Sequence, residues 1–556
     1  MKLRIRQSPL GGPWSLLLGI ACAMVSSLPA MAAERIHVSY SVLERSISIN
    51  SLETYARTGV IKDDLAAYAE YVEPGQLQQF RSVLLSRIDL SPVAISQFLY
   101  TPIGENLLQR LGQVIQVDSG LSGFYAIRSA LILSAADADG LTLLNVLKKF
   151  PSRELRINVA RSLEIAGVLQ QFIQQTNQAQ AAIFRVAATE ATTIPVIPFK
   201  DQPDLRNRGP YTWKQRTIVL NDLSRQRTYP ADIYLPQGQR SQDAPQPPYP
   251  VIVISHGVGS DRSTLAYLAQ QLASYGFAVA VPEHLGSNAR QLSALISGRA
   301  SEVVEPSEFI DRPLDIRFLL DELEQLSQGV SEYRGLLNTR QVGIVGQSFG
   351  GYTALVVVSP GINFSRLQQA CPPGADSLNL SLLLQCLATQ VNASRILYDS
   401  RIKATIAINP VAGTVLGKES LSKIQVPVMV VTGLADTVTP ALPEQLFPFT
   451  WLTTTHRYLA AVKGGTHFSM IAEAGPAGGP VPIPDALVGP NPRIARRYMN
   501  ALTVAFFQTY VAGRSEYRAY LTAAYADFLS QGPLDLHLVQ SLTTAQLEQA
   551  IGGSVQ

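Results

Sequence analysis

Six short apolar runs, "VIVIS", "FAVAVP", "QVGIVG", "ATIAINP", "VPVMVVTG" and "RYLAAVKG", recur between residues 251 and 464. Amphipathic segments separate several of them. In "STLAYLAQQLASYG" Leu265, Leu268 and Leu272 share one helical face, and Gly276 stops the helix. In "RPLDIRFLLDELEQL" Pro313 stands in the first turn, and Ile316, Leu319, Leu320 and Leu323 form one stripe. "GGYTALVVV" continues the third run as a helix. A strand with no polar alternation must be covered on both faces. The pattern therefore requires an α/β architecture, a mostly parallel sheet with helices on both sides. "KQRTIVLND" and "YPADIYLP" read as strands ahead of it, joined to it by the Pro-rich loop "DAPQPPYP". The segment 360–402 interrupts the alternation and is expected to form a cap-like insertion over the C-terminal edge of the sheet, where such folds bind ligands.

A chain of 556 residues exceeds one compact core, so two or three domains are expected. Residues 33–190 carry only helical punctuation. Ser91 and Pro92 make an N-cap and first helical position, Gly59 suits a C′ site, and Leu107, Leu108, Leu111, Val114 and Ile115 form one stripe. This predicts a small all-helical N-terminal domain. The sheet then occupies 191–512, and a helical tail 513–556.

The first 32 residues read as a cleaved secretory signal. Lys2, Arg4 and Arg6 precede an apolar run, and Ala30-Met31-Ala32 supplies small-x-small cleavage near Ala32-Ala33. The run is short for a membrane anchor, and the residues before Cys22 lack the leucine of a lipoprotein signal. Removing it takes away three of 45 basic residues and leaves 42 against 42 acids. A formally neutral chain has no footprint for nucleic acid. The exported remainder keeps Cys371 and Cys386, expected as one disulfide.

Gly346-Gln347-Ser348-Phe349-Gly350 fits G-x-S-x-G, the nucleophile elbow of α/β hydrolases, between an apolar strand and a helix. A serine needs a base to take its proton. Of six histidines, three follow Ser348: His456, His467 and His537. His467 stands on a Gly-Gly loop just past the last strand, and His456 begins a strand. His537 falls in the predicted tail. The acid should follow a strand between Ser348 and His467. Asp436 does, three residues past Gly433. The rival position, one strand earlier, holds Asn409, which carries no charge. "SHGVGS" after the first run supplies a flexible turn at Gly257 and Gly259. The N–H groups of Val258 and Phe349 are the expected oxyanion donors. Gly257, Gln347, His256 and His284 are read as lining the site, with His256 packed behind the loop and His284 either lining or structural. No carboxylate, cysteine or histidine spacing implies a metal, and no cofactor is implied.

"VIVISHGVGSDRSTLAYLAQQLASYGFAVAVPEH", "DRPLDIRFLLDEL" and "VGIVGQSFGGYTAL" resemble the platelet-activating-factor acetylhydrolase and predicted dienelactone-hydrolase branch of the α/β hydrolases, over about residues 210–510. With its N-terminal domain the chain also resembles a group of bacterial secreted hydrolases without an assigned substrate. The resemblance implies Ser348 as nucleophile, His467 as base, and the Val258 and Phe349 amides as oxyanion donors. It departs at the acid, because the acetylhydrolases place theirs where Asn409 stands. Together these readings predict a secreted or periplasmic serine esterase acting on a small-molecule or lipid ester. The rival is a retired hydrolase fold used for binding. A further reading makes the N-terminal helices a docking face for membrane or cell envelope.

Overall fold

The computed structural model describes residues 32–40, 43–193, 197–239, 248–372, 379–392, 395–471 and 488–553. The signal segment and most of the "DAPQPPYP" loop lie outside the described residues. The chain divides into two compact units. One joins residues up to Ser96 with Leu107–Glu164, and the other joins Gln97–Asn106 with everything from Ile165 onward. Among the described residues no helix is long and apolar enough to cross a membrane.

The first unit corrects the all-helical expectation. It contains a four-stranded sheet in the order β2-β1-β4-β3, made of β1 (Arg35–Tyr40), β2 (Leu43–Ser48), β3 (Ile115–Val117) and β4 (Glu154–Asn158). Ile36, Val38 and Tyr40 alternate with Arg35, His37 and Ser39, which is the period of a strand. β3 is too short to show any period, and β1 meets β4 only across a long stretch of helices, so the sheet is not visible locally. The helical punctuation itself holds. Gly59 ends the helix Ile49–Thr58 at φ 79°, and the Ser91 hydroxyl accepts from Ala94 N at the start of the helix Pro92–Leu99.

The second unit is built on nine strands in the order β13-β12-β11-β10-β9-β7-β8-β6-β5. They are β5 (Tyr211–Asp222), β6 (Arg227–Gln239), β7 (Tyr249–Ser255), β8 (Ala278–Pro282), β9 (Leu337–Gln347), β10 (Ile402–Ile408), β11 (Val428–Gly433), β12 (Arg457–Val462) and β13 (Leu536–Val539). β8, β7, β9, β10, β11 and β12 run parallel, while β5, β6 and β13 pair antiparallel at the two edges. Successive residues of a strand feed opposite cores. Val251 and Val253 pack with Ile316, Leu319 and Leu320 of the helix Glu308–Gln328. Ile252 and Ile254 pack with Leu268 and Leu272 of the helix Ala266–Ser274. Burial on both faces is why these strands read as unbroken apolar runs.

Three boundaries differ from expectation. The helix predicted from Arg312 begins at Glu308, so Pro313 lies inside it. Proline cannot donate to the carbonyl four residues back, and that carbonyl, Phe309 O, instead accepts from the Tyr352 hydroxyl at 2.6 Å. The tail is not wholly helical, because β13 adds to β12 and carries His537, whose ring lies 3.8 Å from that of Phe184. The second unit also starts before 190. The helix Val159–Thr192 runs well into it, and Glu190 accepts from the Gln540 and Ser541 amides.

Candidate active site

β9 delivers the chain into a sharp turn at Ser348, whose φ of 58° and ψ of −119° are strained for a residue with a side chain. The helix Phe349–Val356 starts at once. Its first turn lies so close to β7 that a Cβ on Gly350 would sit 2.0 Å from Ser255 O. The strain is held by hydrogen bonds on both sides of the turn. Ser348 N donates to Ile408 O at 2.8 Å, and Ser348 O accepts from Tyr352 N at 3.1 Å and Val411 N at 3.3 Å.

Asp436 follows β11, and His467 follows β12. The two loops are tied by the Ala435 amide, which donates to Gly465 O at 2.8 Å. His467 Nδ1 lies 2.7 Å from Asp436 Oδ2. An ionised carboxylate can only accept, so Nδ1 carries the proton and Nε2 is left with its lone pair. Asp436 is fully engaged. Its Oδ1 accepts from the Val438 and Thr439 amides at 2.8 Å each, and its Oδ2 also accepts from Asn409 Nδ2 at 2.6 Å and the Thr439 hydroxyl at 2.8 Å. One oxygen of this aspartate thus closes its own turn, and the other faces the imidazole. His467 Nε2 lies 3.3 Å from the side-chain nitrogen of Gln347, the residue next to Ser348. Ser348, Asp436 and His467 are 6%, 6% and 4% exposed, so the group is nearly closed off from water.

The loop after β7 passes over the elbow. A Cβ on Gly257 would lie 2.5 Å from Gln347 Oε1 and 3.4 Å from Ser348 Cβ, so a side chain here would have to displace the Gln347 amide. His256 packs behind this loop. Its Nε2 accepts from His284 N at 3.1 Å, which leaves Nδ1 to donate to Gly257 O at 2.8 Å. His284 is enclosed, between the Ser255 hydroxyl at 2.9 Å and Asp315 at 3.4 Å, so of its two expected roles it takes the structural one. Burial, followed by the nearby Arg312 charge, holds both imidazoles well below the ordinary histidine range, so both are neutral. Asp315 in turn receives Arg225 at 2.8 Å and Arg227 at 2.9 Å.

The other candidate histidine, His456, sits against the Tyr510 ring at 5.1 Å. Cys371 and Cys386 are disulfide-bonded, joining the helices Phe364–Ala370 and Leu380–Cys386 of the insertion. The insertion docks on the loop after β10. Gln385 accepts from the Thr414 and Val415 amides, and its side-chain N–H reaches the buried Glu444 at 2.9 Å.

The sequence did not disclose Asn409 as a partner of Asp436, nor Arg312 and Ser287 beneath the loop. For Asn409 the only signal was its position at the end of an apolar strand. For Arg312 it was a charged pair, Arg312 and Asp315, on an otherwise apolar helix face.

Strand order, elbow and the paired acid and histidine loops are those of an α/β hydrolase. A family model described as alpha/beta hydrolase of unknown function (DUF1400) matches residues 32–158, which lie ahead of the nine-stranded sheet. A second, platelet-activating factor acetylhydrolase, isoform II, matches residues 214–312. The platelet-activating factor acetylhydrolase of Cavia porcellus is 29% identical over 139 residues, 20% of this chain and 32% of that protein. The chain is thus an α/β hydrolase by fold that resembles the platelet-activating-factor acetylhydrolase branch, and the match spans about a third of that relative.

Proposed function

We propose that the protein is an exported serine hydrolase that cleaves carboxylic esters through an acyl-enzyme. The observation that carries this reading is the Asp436–His467 pair at 2.7 Å, with Nε2 on the side of the elbow, 3.3 Å from the side-chain nitrogen of Gln347, the neighbour of Ser348. In the proposed reaction Ser348 Oγ attacks the ester carbonyl while His467 Nε2 takes its proton. Asp436 stabilises the imidazolium, and the amides of Val258 and Phe349 receive the oxyanion. The proton then passes to the departing alcohol. Water, activated by the same imidazole, attacks the acyl group, breaks the acyl–Oγ bond and frees the acid. Esters are favoured over amides by the similarity to the acetylhydrolase.

Export is supported by the leader sequence, by Ala30-Met31-Ala32 and by the disulfide, which belongs to oxidising compartments. A chain-length series of p-nitrophenyl esters tests the activity. The wild type should hydrolyse at least the short members and Ser348→Ala none above background. Equal rates for both would reject Ser348 as nucleophile.

A further inference from the structure

The segment "DRPLDI" has structural roles at Pro313 and Asp315, but Arg312 touches the active-site loop itself. Its guanidinium is fully buried and reaches both halves of the proposed oxyanion site. Nη1 donates to His256 O at 2.7 Å, and Nη2 reaches Gly257 O at 3.5 Å, so the two carbonyls preceding the Val258 amide point down at Arg312. The guanidinium carbon lies over the Phe349 ring, 4.5 Å from its centroid. Phe349 bears the other proposed donor. Loop and elbow helix are different elements, joined here by one rigid, planar group.

Arg312 is itself fixed. Nε and Nη2 both donate to the Ser287 hydroxyl, at 2.9 and 2.8 Å, and Nε lies 3.5 Å from Glu308 Oε2. The Ser287 hydroxyl donates its own hydrogen bond to the same carboxylate oxygen. Ser287 O also accepts from Gly259 N at 2.8 Å, which pins the far end of the loop. The Phe349 ring is held from its other neighbours by Phe309 at 4.7 Å and Tyr352 at 5.4 Å. A fork of five N–H donors can make these contacts together, and a lysine ammonium cannot.

We infer that Arg312 is a positioning residue for the oxyanion site, setting the separation of the Val258 and Phe349 amides. This role rests on the hydrolase reading above. Donors that are misplaced by a fraction of an ångström lose most of their effect on the transition state and little on substrate binding.

The test uses the full mature chain, p-nitrophenyl acetate as substrate and a trifluoromethyl ketone as a mimic of the tetrahedral state. Arg312→Lys and Arg312→Met should lower kcat by roughly 10- to 100-fold with KM within about twofold, and weaken the ketone by a similar factor. Arg312→Ala should recover part of its kcat when methylguanidinium is added. Should the Met variant fail to fold, Ser287→Ala, which leaves the charge pair in place, decides. It should lose several-fold in kcat, again without KM. Wild-type kcat and ketone affinity in Arg312→Lys and Ser287→Ala, or a loss lying wholly in KM, would overturn the role while leaving the hydrolase reading intact. An inert wild type would remove both.

Discussion

Asn409 directly follows β10, and its side chain serves Asp436, the proposed acid after the next strand. Its Nδ2 donates to Asp436 Oδ2 at 2.6 Å and its Oδ1 accepts from Gly433 N at 3.2 Å, at a backbone φ of 44°. Asn409→Ala removes one of the donors on the oxygen that orients His467. It should reduce kcat on p-nitrophenyl acetate by about tenfold, in line with one lost charge-assisted hydrogen bond. Asn409→Asp should cost more, because two carboxylates at this distance share a proton and the orienting charge is diluted. Steady-state kinetics that rank the Asp variant above the Ala variant would contradict this account. Gly350→Ala is a different kind of change. Its methyl would meet backbone oxygen at 2.0 Å, so soluble, cooperatively melting protein should be lost. Wild-type melting of that variant would show that helix and strand separate easily at the elbow. Asp436 and His467 were legible in the sequence because each follows a strand by a few residues. Asn409, Ser287 and Arg312 were not, because their partners lie 27, 25 and 56 residues away.

The parallel strands were read to within a few residues where double-sided burial makes them continuously apolar, whereas β9 starts at Leu337, four residues ahead of its apolar run, in a stretch with exposed Arg340 and Gln341. The strands of the first unit and β13 escaped: β3 and β13, of three and four residues, are too short to show a period, and the alternation of β1 meets its partner β4 only across a long stretch of helices. At this scale the loop after β7 has a pH dependence. His256 and His284 are held neutral below the ordinary value of 6.5, chiefly by burial. Their depressed values mean that the folded state declines protons which the unfolded chain accepts. Their contribution is intact above 6.5 and is lost as pH falls through it, at about 1.4 kcal/mol per pH unit for each histidine. Urea melts at pH 7.5 and 5.5 should show this fall, and His284→Asn should remove about half of it. An unchanged slope in that variant would contradict the assignment. The insertion has its own staple. Cys371–Cys386 closes a separation of 15 residues, worth about 3 kcal/mol in the chain-entropy account. The double serine variant should melt at a lower temperature than the oxidised wild type, by differential scanning calorimetry, and the same temperature in both would show that docking through Gln385 and Glu444 suffices.

For the whole molecule, two units carry two different signals. The sheet unit bears the elbow and its partners, while the matched model of unassigned function falls on residues 32–158. On the proposed export, the chain without its first 32 residues would balance basic and acidic residues at 42 each, a charge that offers no steering toward nucleic acid. On that proposal, N-terminal sequencing of the protein recovered from its native source should begin near Ala32-Ala33, and a start at Met1 would reject the leader reading. The central claim concerns one atom, Ser348 Oγ, and one reagent addresses it. The mature protein is treated with a fluorophosphonate probe beside Ser348→Ala and His467→Ala, and the adduct is located by peptide mass spectrometry. The account predicts a single adduct on Ser348 in the wild type and none in either variant. An unlabelled wild type, or an adduct that persists in Ser348→Ala, would contradict it.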